Sequence, residues 1–326
     1  MSTPISGGLA TGRKTVSAKE NLRKYFCVIV LVAIMLFFSI VTDHFFTWSN
    51  ISIMLAQGAV LTIVAMGETL IILAGSIDLS VGSLIGLGAV LAAGFSPSMG
   101  IWSFLVAAAA GMACGACTGL IYAKGKIPSF IASLGMLTVA RGIVYLYTKG
   151  HPILAKSDAI TTLGIGRTLG LPNIVLFALV VVLVITYLTN FTTFGRWVRG
   201  IGGAERVVGL SAVPIDRIKF LLFVLSGLLA ALAGAVQAAR VGSGVPTTGS
   251  GQELDVIAAV VIGGTALTGG IGHPLGSVLG AYIMTVLATG LDLLGISAYP
   301  QMVIKGIVLA AAVLVSVDRK RIGIMK

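Results

Sequence analysis

Four groups of residues in this sequence have types and spacings that could do chemistry. Glu68 and Asp78 stand ten residues apart in apolar sequence, where a carboxyl must be neutralised, hydrogen-bonded or turned to water. A lone ionised side chain at mid-helix costs about 2.5–3.5 kcal/mol, so Glu68 points to a bundle interior or a water-filled cavity. The plain alternative is a protonated packing residue. Cys114 and Cys117 form a CxxC, yet they lie in Ala/Gly-rich sequence with no His or second pair nearby, which favours helix packing over metal or redox work. His273 has no His or Cys companion, so no metal ligand is expected. Gly12-Arg13-Lys14-Thr15 and Gly125-Lys126-Ile127 are fragments of a phosphate loop without the GxxxxGK spacing followed by Ser or Thr. ATP is therefore not held here by that route. No Ser/His pair or paired carboxylates fall within one span, and no catalytic residue is assigned.

Elements able to position such residues follow from composition. Of 326 residues, 57% are hydrophobic and 10% charged, and the mean hydropathy is +1.05. A water-soluble domain carries about 25% charged residues, so 22 bases and 11 acids leave too little polar surface for a soluble enzyme, a disordered chain or a nucleic-acid-binding domain. The three cysteines all sit inside apolar runs and make no disulfide framework. A helix crossing the bilayer needs about 20 mainly apolar residues. Ten apolar stretches qualify or come close: 26–41, 58–74, 81–95, 101–122, 130–147, 174–188, 220–239, 256–268, 275–291 and 302–317. The first lacks a small-x-small cleavage site and reads as a retained helix rather than a signal peptide.

With the N-terminus inside, the inside segments hold sixteen Lys and Arg and the outside loops four (Lys149, Lys156, Arg167, Arg240). This is the positive-inside pattern, so the net charge of +11 is topological and not a nucleic-acid footprint. Arg141 and Lys305 fall within spans and read first as snorkelling toward the outer surface. The expected fold is an all-α polytopic bundle of about ten transmembrane helices with both termini cytoplasmic. A tail 1–25 leads into one transmembrane domain 26–318, with the inner loop 190–219, and a tail 319–326 follows. Gly111, Gly115 and Gly119, with Gly82/Gly86 and Gly276/Gly280, supply small-residue stripes for close helix approach.

Two places resist a plain helix. Between short apolar arms lies Gly75-Ser76-Ile77-Asp78-Leu79-Ser80-Val81-Gly82-Ser83, which fits a discontinuous helix whose freed backbone faces a cavity; a simple cap on the next helix is the alternative. The second runs from Gly251-Gln252-Glu253-Leu254-Asp255 to the Gly-rich stretch 262–274. A broken or re-entrant element fits there, and so does a flexible turn. The inner loop carries a short amphipathic run, Ala204–Leu210, bounded by glycines and Pro214, which suits docking on a partner or on anionic lipid.

Several blocks together resemble ribose-type sugar permeases of ABC importers. Residues 76–83 are similar to that family's hallmark segment. Residues 203–214 with Arg217-Ile218-Lys219 are similar to its ATPase-contacting loop, and 253–264 with Thr265, Leu267, Gly269 and Gly270 to a third block. Residues 128–136 with Ala140-Arg141-Gly142 resemble a fourth. The chain departs from the family's usual Gly-Gly-Ile-Asp with Gly75-Ser76, and Glu68 stands where uncharged residues are usual. The resemblance implies a permease in the bacterial inner membrane that moves a ribose-like monosaccharide. It implies a second permease copy or close paralogue, a cytoplasmic twin-cassette ATPase carrying ATP–Mg, and a periplasmic sugar-binding protein. This chain itself is expected to hold no cofactor or metal. Arg199, Ala204, Glu205, Arg206, Gly209, Leu210 and Ser211 are then expected to couple to the ATPase. Glu68, Ser76, Asp78, Ser80 and Ser83 are expected along the translocation pathway, and Glu253, Asp255, Gly263 and Gly264 in structural or gating roles. A proton-coupled secondary transporter using Glu68 and Asp78 is the alternative.

Overall fold

In an apolar solvent every backbone N–H must find its acceptor within the protein, and a helix does this inside its own segment. The computed structural model, which describes residues 18–316 with side chains from 26 to 314, is accordingly almost all helix. The expected tail 319–326 and most of the tail 1–25 lie outside the described residues. The helices are α1 (Ala18–Val41), α2 (Trp48–Leu73), α3 (Val81–Met99), α4 (Ser103–Ala123), α5 (Ser129–Thr148), α6 (Asp158–Ile165), α7 (Asn173–Phe191), α8 (Thr193–Gly209), α9 (Ile215–Val241), α10 (Gln252–Ile262), α11 (Pro274–Leu293) and α12 (Ala298–Ser316). Two antiparallel pairs of two-residue strands, β1 (Ile153–Leu154) with β4 (Ser243–Gly244) and β2 (Arg167–Thr168) with β3 (Leu171–Pro172), tie down the connectors.

Six stretches among the described residues are long and apolar enough to cross a membrane: Trp48–Leu73, Val81–Ala123, Ser129–Thr148, Asn173–Phe191, Ile215–Val241 and Pro274–Leu293. Val81–Ala123 is a hairpin in which α3 and α4 pack on each other across a 3-10 turn at Gly100, whose φ is +55°. The outward-facing side chains are strongly apolar, Ile40, Leu146 and Leu183 among them. Such a surface is the inverse of a soluble protein's, and the chain is a polytopic helical membrane protein.

Helix α9 is the hub, packed against α4, α3 and α2. The small-residue stripe of α4 explains the closest of these seams. A Cβ at Gly111, Gly115 or Gly119 would run into the backbone of Gly227, Phe223 or Phe220 of α9. The ten apolar stretches fall on α1–α5, α7 and α9–α12, and one difference stands out. Helix α2 starts ten residues before the expected position because Thr47 caps it, its hydroxyl accepting Asn50 N–H at 3.3 Å. The amphipathic run 204–210 forms the outer half of α8, a short helix set off from the inner half by the non-helical Ala204 (φ −162°, ψ 76°).

Candidate functional site

The break between α2 and α3 is a stretch of backbone satisfied by side chains. Gly75, at φ +73°, turns the chain back along α2. Residues 77–80 then present four consecutive N–H groups with no helical partner. Each meets a side-chain oxygen: Ile77 N–H donates to Ser129 Oγ (3.2 Å), Asp78 to Glu68 Oε1 (3.2 Å), Leu79 to Ser133 Oγ (3.0 Å) and Ser80 to Asp78 Oδ1 (2.9 Å). Asp78 also accepts from Ser80 Oγ (2.6 Å) and, through Oδ2, from Ser226 Oγ of α9 (2.8 Å). Ser76 Oγ shares a hydrogen bond with Tyr122 OH at 2.8 Å. Burial without these partners would cost several kcal/mol per group, so the polar residues hold the break open.

All five residues expected along the pathway (Glu68, Ser76, Asp78, Ser80 and Ser83) are buried here within the packing of one chain, at 2% exposure or less. Glu68 Oε2 and Ser83 Oγ find no hydrogen-bond partner among the described residues. Sequence gives Tyr122 and Ser226 no site role, and Ser129 and Ser133 enter it only as members of the 128–136 block. Ser129 and Ser133 lie four apart on one face of α5, a signal that could have marked them.

Below this core sits α8. Thr192 caps it, accepting Gly195 N–H at 3.3 Å, and its first half is buried through Gly195, Val198 and Ile201. Gly202 rests against the carbonyl of Leu73 at the end of α2, and the same carbonyl accepts Gly270 N–H at 2.8 Å. Three backbone segments thus meet with no side chain between them: the end of α2, the middle of α8, and the 263–273 connector. The residues expected to couple divide in two. Arg199 faces inward, donating to Thr189 O and Asn190 Oδ1, both at 2.7 Å. Ala204, Glu205, Arg206, Gly209, Leu210 and Ser211 are exposed beyond the kink, where Glu205 pairs with Lys219 at 2.7 Å. A shallow cleft of about 450 Å³ lined by Gly209 and residues 213–217 adjoins them.

The Gly-rich connector is pinned by hydrogen bonds within itself and to α2. Ala266 N–H donates to Ile271 O at 2.9 Å, and His273 caps α11 by accepting Leu275 N–H on Nδ1 at 3.2 Å. His273 Nε2 lies 3.0 Å from the side-chain amide of Asn190, whose Oδ1 accepts from Arg199. Burial first, and then the Arg199 charge, hold the His273 imidazole below its ordinary value. Gly263 packs against the backbone of Gly276 and Ser277, and Gly264 takes φ +91°.

Two basic residues read as snorkelling do something else. Arg141 Nη1 donates to Pro246 O (2.8 Å) and Thr248 O (2.9 Å), and Nη2 donates to Gly82 O (3.3 Å). Carbonyls of the unwound segment before α10 and of α3 take up its N–H groups, so the guanidinium is satisfied within the protein. Lys305 pairs with Asp255 of α10 at 2.7 Å. Glu253, two residues earlier in α10, lays its carboxylate against Gly82.

Among known proteins, residues 50–313 match the family model described as "Branched-chain amino acid transport system / permease component". The chain is 44% identical over 303 residues to the ribose import permease protein RbsC of Escherichia coli (strain K12), covering 90% of this chain and 92% of that protein. It is 38% identical to the ribose import permease protein RbsC of Bacillus subtilis (strain 168), covering 96% and 98%. It is 30% identical to the xylose transport system permease protein XylH of Escherichia coli (strain K12), covering 98% and 97%. No solved structure matches it.

Proposed function

We propose a transport cycle from one premise: this chain belongs to the family described as branched-chain amino acid transport system, permease component. It is a transport subunit, not an enzyme, and acts as the membrane-spanning permease of an ABC importer. The cargo is a neutral monosaccharide of the ribose or xylose kind. The 44% identity to a ribose import permease over 90% of the chain carries this reading, because the relatives' printed names point to pentoses in spite of the family's heading.

Ten crossings with both termini in the bacterial cytoplasm fit the sixteen-to-four distribution of basic residues and put α8 on the inner side. ATP–Mg belongs to a separate ATPase, which would dock on the exposed outer half of α8 and its neighbouring cleft. A second permease copy or paralogue completes the pore, and a periplasmic binding protein delivers the sugar. Movement of α8 reaches the membrane core through the backbone joint at Leu73, Gly202 and Gly270. Proton coupling through Glu68 and Asp78 gains no support, since both carboxyls are sealed in protein packing.

The test is reconstitution of this chain with its ATPase and binding protein in proteoliposomes. Ribose uptake is expected to require ATP and all three components. Uptake by the permease alone, driven by a proton gradient, would overturn the assignment.

A further inference from the structure

Arg141 is the thirteenth residue of the 20-residue helix α5, with about 18 Å of helix before it and about 10 Å after it. It therefore lies deep in the membrane. Its guanidinium occupies the space beside Gly86 of α3, while the Glu253 carboxylate occupies the space beside Gly82. These glycines are one helical turn apart, and the face of α3 they form packs against the Thr248 and Gly249 carbonyls with the arginine and the glutamate beside them. Both are only partly buried. Around them, Thr247, Ser250 and Tyr145 are exposed. Exposed polar atoms at this depth cannot face hydrocarbon without a cost of several kcal/mol. This face must border water or a second chain.

Hydrogen-bond capacity is left over at the same place. A guanidinium has five N–H donors, and Arg141 spends three of them on carbonyls. Glu253 forms no ion pair within 4 Å among the described residues. Its oxygens accept, the free N–H groups of Arg141 donate, and adjacent hydroxyls of a sugar can do both with both.

We infer that Arg141 and Glu253, seated on the Gly82–Gly86 face of α3, form a contact site for vicinal hydroxyls of a neutral polyol on its way through the membrane. This site rests on the importer reading and gives its substrate class a location. It differs from the sealed set around Asp78, whose work is structural.

Two measurements test it in the reconstituted importer. With radiolabelled ribose as probe, Glu253→Gln should slow uptake about tenfold, as expected for losing one charge-assisted hydrogen bond, and should change the ribose-to-xylose preference. Arg141→Lys should do the same; if that variant fails to insert, Glu253→Gln decides alone. Wild-type rate and preference in Glu253→Gln would overturn the site while leaving the importer intact. Transport of leucine but not ribose by the wild type would instead sink the sugar reading. Independently, Ser250→Cys, in a chain with Cys27, Cys114 and Cys117 replaced by Ser, should react with a membrane-impermeant maleimide and be protected by ribose-loaded binding protein with ATP. A cysteine there that never reacts would put this face against lipid, and the proposal fails.

Discussion

Asp78 accepts three hydrogen bonds inside the bundle, from Ser80 N–H, Ser80 Oγ and Ser226 Oγ. Asp78→Ala should lower stability by about 3 kcal/mol, because it strands buried donors, whereas Asp78→Asn keeps an acceptor for Ser80 and should cost less. Thermal unfolding in detergent reads the difference, and equal melting of the two variants would deny the network its role. His273 gives a pH test. Its folded-state value is depressed, so the folded protein binds fewer protons than the unfolded one. The stability it contributes is present above the ordinary histidine value of 6.5 and is lost as the pH falls toward the lower folded value. His273→Asn, which retains a cap acceptor, should flatten that slope in melting curves between neutral pH and mild acid. The carboxyls of this core were legible in the sequence as acids in apolar stretches. Their partners were not: Ser226 lies 148 positions from Asp78, and such pairing leaves no local trace. Arg141 was misread for a related reason. Its partners are carbonyls, which every residue has.

At the scale of elements, apolar length and small-residue spacing locate the helices well, because lipid enforces both. The start of α2 and the kink of α8 depend on a cap and on one dihedral pair, and neither alters hydropathy. The α4–α9 seam makes the glycine stripe testable. Gly115→Leu would drive its side chain into the Phe223 carbonyl and should prevent stable assembly, overpacking costing about 1–3 kcal/mol or more. Gly135→Leu on α5, where nothing lies within 4 Å, should leave the melting temperature near wild type. Similar losses from both would show that the stripe has no special place. Gly202→Val should separate α8 from the end of α2, so that ATP hydrolysis continues in the assembled importer while sugar uptake falls.

For the whole molecule, sidedness is the governing quantity. A cysteine at Arg206 should be labelled only from the cytoplasm and one at Lys156 only from outside; reversed labelling would remove both the proposed orientation and the ATPase handle. Between that handle and the bilayer core lies the meeting of Leu73, Gly202 and Gly270, where main chain touches main chain. A joint of this kind has no side chain to exchange for another. In the proposed cycle, drift in the surrounding sequence retunes which solute passes or how fast, while the linkage goes with the backbone path itself. It fails only when atoms are added to it, which is why glycine is the residue found there.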